Sequence, residues 1–325
     1  MAKKKPAAER ADESPSERVG EPPKLRNCGA MQELMHQLET VPNFRKNQVA
    51  LEHACRARLR MAPTARTGPY KIPVVVHVIH NLTRPGEKIS EAQVKSQIAV
   101  LNKDFRGTNP DKSKVPDVFK GLVADANIEF VLATKDPNGN ATTGITFTAT
   151  TKKSFSDRNN PVKAKTTGGA NAWNTKKYLN IWVCTLATGP TGQLLGYAQF
   201  PGGPTKTDGV VILNTAFGTT GSAAAPFNLG RTTTHEVGHY LNLRHIWGDD
   251  GDCSGSDFVD DTPNCETANG GKPTFPKISC SNGPNGDMFM NYMDYTDDDA
   301  MFMFTPGQVA RMHATLDGPR KALVS

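Results

Sequence analysis

Three histidines within one short segment place the strongest constraint on how this chain folds. The segment 232–241 contains a His-Glu-x-x-His pattern formed by His235, Glu236 and His239. On a helix, residues four apart lie on the same face, so both histidines can direct a ring nitrogen at a single ion. Glu236 is rotated by about 100° from His235, where its carboxylate can reach a water on that ion. The segment therefore predicts a helix that carries a metal site.

The third histidine, His245, follows six residues after His239, a spacing that a continuous helix would place on another face. The chain must therefore turn between them. Asn242 suits this turn because Asn tolerates left-handed backbone angles and often ends helices. Three neutral imidazoles leave a fourth position open, which is typical of a catalytic zinc site. The alternative interpretation is that these histidines are ordinary core residues.

The remaining patterns predict an α/β sheet domain with crossover connections. Helical periodicity covers 31–60, and capping boxes at Ser90 and Thr305 predict the starts of two further helices, the second ending near Leu316. Strands are predicted at 71–79, 127–133, 145–150, 178–186 and 209–213. The run 196–201 ends in proline, which cannot donate to a sheet ladder, so we expect an edge strand that an added peptide can pair with.

The N-terminal part of the chain differs in composition from the sheet domain. Residues 1–23 include three consecutive lysines, are nearly free of large apolar residues and lack the apolar core of a signal peptide. We expect a disordered tail, and a polyanion-binding or address segment is the alternative. The net charge of +6 does not by itself indicate nucleic-acid binding. No run approaches the roughly 20 apolar residues of a membrane span.

Three separated blocks resemble one known family. The run 235–245 resembles the extended metzincin motif His-Glu-x-x-His-x-x-Gly-x-x-His, with Asn242 in place of the usual glycine. Together with 260–263 and 291–295, the run 235–249 is similar to the pappalysin family, above all to its compact microbial branch. This resemblance implies a metzincin-like α/β fold: a twisted mixed sheet with backing and active-site helices, a zinc cleft, and an irregular C-terminal subdomain with one late helix.

The activity implied by the resemblance is that of a zinc endopeptidase made as a latent zymogen. Zinc held by the three histidines would polarise the scissile carbonyl, while Glu236 would take a proton from the attacking water. Tyr295 would hydrogen-bond the developing oxyanion and Met293 would lie beneath the metal in a methionine turn. The segment 26–29 is similar to a cysteine switch, in which Cys28 occupies the open zinc position. The alternative is an incidental cysteine in a flexible arm.

The resemblance also implies a division of the chain. Residues 1–23 would be the tail, 24–66 an inhibitory propeptide, 67–245 the N-terminal catalytic subdomain, and 246–325 the C-terminal catalytic subdomain. Substrates would be proteins or peptides, and the propeptide would act as an inhibitor. The family and its disulfide imply a secreted or extracytoplasmic protein. The rival hypothesis is a noncatalytic zinc-stabilised binding module for a polyanionic or protein partner, which would have no use for Glu236 or an open coordination site.

The loop that follows the histidines is rich in carboxylates and cysteines. By resemblance it would bind structural calcium, with Asp257, Asp260, Thr262 and Glu266 as ligands; a solvated acidic face is the alternative. The resemblance pairs Cys253 with Cys280 in a disulfide and leaves Cys265 as a free thiol. Lys272 and Ala300 stand where the cysteines of the family's second bridge would fall.

Three consecutive aspartates, 297–299, predict substrate specificity. A carboxylate at the base of the pocket for the residue just after the scissile bond would select Arg, because the guanidinium pairs with it bidentately. By resemblance Asp299 is this pocket residue. The alternative is that the aspartates are solvated or bind cations. An Arg preference would let the enzyme cut its own exposed linker before Arg56, Arg58, Arg60 or Arg66.

Overall fold

The computed structural model describes residues 23–59 and 68–324. The expected disordered tail, apart from residue 23, and the linker residues Arg60 and Arg66 lie outside these ranges. The α-helices are α1 (Ala30–Thr40), α2 (Phe44–Leu59), α3 (Glu91–Asp104), α4 (Asp117–Lys120), α5 (Arg231–Tyr240) and α6 (Pro306–Asp317). The strands are β1 (Tyr70–Asn81), β2 (Ile128–Leu132), β3 (Ile145–Thr150), β4 (Leu179–Cys184), β5 (Thr188–Gly189), β6 (Gly192–Gln193), β7 (Gly196–Ala198), β8 (Val210–Leu213), β9 (Gly270–Gly271) and β10 (Tyr295–Thr296).

A six-stranded sheet is organised around the long strand β1. The first half of β1 pairs in parallel with β2 and its second half with β3, while β4 pairs along the other side. The sheet continues in parallel through β8, and β7 ends it antiparallel to β8. Helices α3 and α5 pack against each other and against this sheet. The mixed, mostly parallel sheet confirms the predicted α/β class.

Strand β7 lies at the edge of the sheet, as the proline at the end of the run 196–201 predicts, and its outer side is paired. The backbone N–H of Leu195 donates to the carbonyl of Asn27 at 2.9 Å, and that of Gly29 donates to the carbonyl of Gly196 at 2.9 Å. Cys28 and Gly196 thereby form a parallel bridge. Residues 27–29 therefore act as the added peptide that an edge strand can accept.

The predicted helix over 31–60 is wrong in one respect, because the chain breaks into α1 and α2. Pro42 disfavours helical backbone at the preceding residue, and Val41 is extended, with φ −96° and ψ 118°. Asn43 then adopts a left-handed φ of 63°. Helix α2 continues to Leu59, so Arg56 and Arg58 of the expected exposed linker lie on a helix.

The C-terminal part is mostly irregular and ends in one late helix, as expected. Thr305 and Gln308 form the predicted capping box at the start of α6. The predicted disulfide between Cys253 and Cys280 is present, and Cys265 is a buried free cysteine. Within the ranges described, no helix combines the length and apolar character needed to cross a bilayer.

Candidate metal centre and active site

Helix α5 and the turn that follows it bring the three histidines together. The helix is buried along its whole length, and Asn242 adopts the left-handed φ of 74° that its place in the sequence predicts. This turn returns His245 to the helix. The Nε2 atom of His239 lies 3.1 Å from Nε2 of His235 and 3.1 Å from Nε2 of His245. All three ring nitrogens thus converge on one point.

In His235 and His239 the ring hydrogen lies on Nδ1, on the side away from the point where the Nε2 atoms converge. Nδ1 of His235 donates to the carbonyl of Tyr292 at 2.7 Å. Nδ1 of His239 donates to the carbonyl of Leu243 at 2.8 Å. Because a carbonyl oxygen only accepts, each Nδ1 carries a hydrogen, and in the neutral ring Nε2 then carries a lone pair. Burial, followed by the neighbouring histidines, lowers the pKa of His235 and His239 well below its usual value. The rings are therefore neutral, which is the form that binds metal.

A zinc ion fits this donor set. Facing lone pairs repel each other unless a cation lies between them. Tetrahedral Zn–N bonds of about 2.0–2.1 Å place two ligand nitrogens about 3.3 Å apart. The Nε2 atom of His239 lies 3.1 Å from those of His235 and His245, which is close to this value. The ring orientation is held by outer partners, which is typical of metal-binding histidines. His245 completes the pattern, because its Nδ1 lies 2.7 Å from Oδ1 of Asp249.

Cys28 supplies a fourth donor. Its Sγ and the three ring nitrogens all lie within 4.8 Å of one another, and all four residues are buried. In the described part of the chain this is the only such group of three or more His, Cys, Asp or Glu donors. Burial and then the charge of Glu236 raise the pKa of the thiol well above its usual value. A thiolate here needs a compensating cation, which zinc supplies.

Glu236 lies beside the fourth donor position, next to Cys28 and close to Gly196 of the edge strand. Its carboxyl is buried, and Oε2 has no hydrogen-bond partner among the described residues. Burial raises its pKa to about 8, while the hydrogen bond with Cys28 and the charge of Arg26 act in the opposite direction. A Cβ atom on Gly196 would lie 2.9 Å from Cγ of Glu236. Only glycine at this position of β7 leaves room for the carboxylate.

The methionine turn lies beneath the histidines. Met293 is fully buried, and its sulfur packs so close to α5 that a Cβ atom on Gly238 would collide with it. The Oδ1 atom of Asn291 accepts from the backbone N–H of Met293 at 2.9 Å. Because the adjacent carbonyl of Tyr292 accepts from His235, the turn fixes both the position and the orientation of that ring.

The rings of Tyr295 and Trp247 and the carboxylate of Asp249 surround His245. The Tyr295 ring lies edge-on to His245, with centroids 4.9 Å apart, and its hydroxyl donates to the carbonyl of Cys28 at 3.4 Å. Trp247 stacks on His245 with centroids 4.2 Å apart and planes 7° apart. Sequence reasoning assigned no role to Trp247 or Asp249, although both stand within four residues of the third histidine.

A buried ion pair lies on one side of Cys28. Arg26 donates through Nη2 to Oδ1 of Asp298 at 2.7 Å and through Nη1 to the hydroxyl of Thr232 at 2.9 Å. Both members of the pair are almost completely buried. Asp299, which the resemblance places at the pocket base, is instead exposed and pairs with Lys272 at 2.6 Å. Asp297 is also buried, but the carboxylate of this run that pairs with Arg26 is Asp298.

The structure does not bring the four expected calcium ligands into one compact set. Asp257 is buried and accepts from the Thr262 hydroxyl at 2.7 Å. Asp260 and Glu266 are exposed, and with Asp257 they do not form a compact donor group. Burial raises the pKa of Asp257 to about 7. Spacing in an irregular loop did not reveal which carboxylates face inward.

Comparisons with known proteins agree with this geometry. The peptidase M43 family, described as pregnancy-associated plasma protein-A, matches residues 164–317. An extracellular metalloprotease of Pyricularia oryzae is 34% identical over 255 residues, which are 76% of this chain and 75% of that protein. A promirolysin mutant of Tannerella forsythia is similar in structure, with a TM-score of 0.84 and 47% identity over 92% of this chain and 97% of that one.

Mature mirolysin of Tannerella forsythia, solved in complex with a cleaved peptide, has a TM-score of 0.76 and 52% identity over 80% of this chain and 97% of its own. These relatives are proteases, which argues against the rival hypothesis of a noncatalytic zinc-stabilised binding module. The chain belongs to the pappalysin family, peptidase family M43, and is a zinc metalloendopeptidase with the fold of the compact microbial members.

Proposed function

We propose that the chain is a latent zymogen whose mature form cleaves peptide bonds directly before Arg. The observation that carries this proposal is the meeting of four donors at one point: three histidine nitrogens and the Cys28 sulfur. A cysteine in the fourth position closes a tetrahedral zinc site and excludes the water that hydrolysis requires. The segment that carries Cys28 is also the one that pairs with the edge of the sheet.

In the open enzyme, zinc held by His235, His239 and His245 would supply Lewis-acid activation of the scissile carbonyl and of water. Glu236 accepts the proton of the attacking water and passes it to the leaving amine. Its position beside the histidines, without being one of the four converging donors, suits a group that must both take and return a proton. The hydroxyl of Tyr295, close to the Cys28 carbonyl, donates to the oxyanion as it develops.

Latency is supported by the way the N-terminal segment is held. Residues 27–29 extend the sheet beside β7, α1 packs along that strand, and α2 packs on α6. Activation by cleavage needs extended backbone at the cut. Arg56 and Arg58 lie on α2, and Arg58 is paired with Asp317. Cleavage before Arg56 or Arg58 would therefore require α2 to unfold first, and the bond before Arg60 begins at Leu59, the last residue of that helix.

A preference for Arg is supported by the pocket that Arg26 fills. Its guanidinium contacts Asp298, Thr232 and the carbonyl of Thr296. We propose that this pocket receives the substrate Arg after the propeptide leaves, with Asp298 as the selecting carboxylate. Asp299 would then contribute only at the exposed rim, where Lys272 neutralises it.

Two further proposals concern the environment of the enzyme. Export is supported by relatives named extracellular metalloproteases and by the disulfide, which persists in oxidising compartments. Structural calcium in the loop 248–266 is supported by Asp257, because a bound cation would offset the cost of burying its carboxylate. Thr262 lies against that carboxylate, and Asp260 and Glu266 would complete the ligand set from the exposed side.

The role of Glu236 is tested in a background that is not latent. Full-length Cys28→Ala is expected to cleave casein without prior processing, because the fourth position is open. Adding Glu236→Ala should reduce this cleavage by at least about 100-fold, the lower range for loss of a general base, while bound zinc stays at one equivalent by mass spectrometry. Activity in the double variant would contradict the mechanism, and a Cys28→Ala protein as inactive as unprocessed wild type would contradict the cysteine switch.

Asp249 is expected to orient His245 for zinc. Asp249→Asn weakens the acceptor for Nδ1, and loss of such an outer partner costs about 10–100-fold in metal affinity or activity. Competitive zinc titration of the Cys28→Ala protein measures this change. Asp252→Asn, an exposed carboxylate of the same loop, is the matched control. Equal zinc affinity in the two variants would mean that Asp249 does not hold the ring.

Arg preference is measured with peptide pairs that carry Arg or its uncharged analogue citrulline after the scissile bond. We expect wild type to favour Arg by about 10–100-fold in kcat/KM, the value of a charged hydrogen bond. Asp298→Asn should remove this preference, since its amide oxygen can still accept from Leu229 and Arg231 but its charge is lost. Asp299→Asn should retain it.

The opposite result, with preference lost only in Asp299→Asn, would restore the assignment drawn from the resemblance. N-terminal sequencing of the matured wild-type chain provides the second measurement. The new N-terminus is expected at an arginine of the segment 55–66. A start at a non-basic residue would argue against self-cleavage with Arg preference.

Calcium is tested by thermal unfolding. Chelation of calcium with zinc restored is expected to lower Tm by about 5 °C or more, because a ligand that binds only the folded state stabilises it. Adding calcium back should restore Tm. An unchanged Tm would mean that the loop is stable without a cation and that Asp257 is held by Thr262 and backbone groups alone.

A further inference from the structure

A second charged side chain of the N-terminal segment is buried at the other end of β7. Glu33, on α1, is 5% exposed, and its Oε1 accepts from the side-chain amide of Asn160 at 2.9 Å. A carboxylate is costly to bury unless donors or positive charge surround it. The surroundings of Glu33 therefore form a built acceptor site for an acidic group.

The positive charge near Glu33 is Lys163, which is only 3% exposed. Its Nζ donates to the carbonyl of Thr207 at 2.7 Å and lies 4.9 Å from the centre of the Tyr197 ring. Burial lowers its pKa to about 8, and the charges of Glu33 and Asp208 act against that shift. Asp208 is already paired with Arg320. Of Glu33 and Asp208, only Asp208 is thus paired with another cation.

Asn160 is set up to bind an acceptor. Its backbone is held at a left-handed φ of 51°, directly before Pro161. Its side-chain amide donates to Glu33, while its Oδ1 is buried with no hydrogen-bond partner among the described residues. Without Glu33, the Asn160 amide would lose this acceptor, and Lys163 would keep only Asp208, which is paired with Arg320, as a neighbouring anion.

The direction of the N-terminal segment shows on which side of the zinc donors the pockets of Arg26 and Glu33 lie. It runs parallel to β7, so Asn27 lies beside Leu195 and Gln37 reaches the side chain of Gln199 at 3.1 Å. Cys28 lies between, at Gly196. The pockets of Arg26 and Glu33 are therefore on opposite sides of the metal centre. If one takes the residue after the scissile bond, the other takes a residue before it.

We propose that Asn160 and Lys163 form a second specificity site, which binds a substrate Glu on the N-terminal side of the scissile bond. In the latent chain Glu33 occupies this site. The inference rests on the proposed function, because it takes the Arg26 pocket as the one for the residue after the bond. The mature enzyme would then recognise a pair of opposite charges that flank the cleaved bond.

The test uses the full chain after activation and peptides with Arg fixed after the scissile bond. A single Glu is moved through each preceding position, and each peptide has a twin with Gln there. At one position we expect Glu to raise kcat/KM by about 10-fold over Gln, as for a charge-assisted hydrogen bond. Asn160→Asp should abolish or invert this ratio, whereas Asn159→Asp, an exposed neighbour, should leave it unchanged.

Equal cleavage of Glu and Gln twins at every preceding position, with the Arg preference intact, would overturn the second site and leave the proposed function standing. Loss of the Arg preference itself would instead contradict the proposed function. The wild-type comparison decides the matter even if Asn160→Asp does not fold, since it needs no variant. A Glu preference that Asn160→Asp leaves unchanged would place the acidic site elsewhere.

Discussion

The rest of the structure depends on three imidazole nitrogens that converge on one point, with that of His239 3.1 Å from each of the other two. Left alone, they would turn away from each other. Outer acceptors on Tyr292, Leu243 and Asp249 prevent this by fixing each ring. The buried helix, the left-handed turn at Asn242 and the methionine turn beneath it all hold the rings in place for one cation.

The parts of this site that depend on local spacing could be predicted from the sequence. Helical periodicity places His235 and His239 on one face, and the conformational range of Asn permits the turn to His245. The sheet, its edge strand and the Thr305 capping box follow from patterns of the same short range. Each of these inferences needed only the sequence of the element itself and of a few neighbouring residues.

What could not be predicted depends on contacts between distant segments. Which aspartate of 297–299 has a buried cation as its partner depends on Arg26, more than 270 residues earlier in the chain. Which carboxylates of the calcium loop face inward depends on packing that no periodic pattern encodes. The break at Pro42 is different, because the rule for residues before proline was sufficient to find it and helical periodicity obscured it.

Gly196 has a consequence for which substrates the enzyme can attack at all. The same residue accepts a hydrogen bond from an added peptide backbone and packs against Glu236. The distance from a bound backbone to the base is thus set by the rigid edge of a sheet, not by a loop. A target must lie as a strand to be attacked. If substrates pair with this edge as residues 27–29 do, the enzyme would select by conformation, and helical segments would resist cleavage until they unfold.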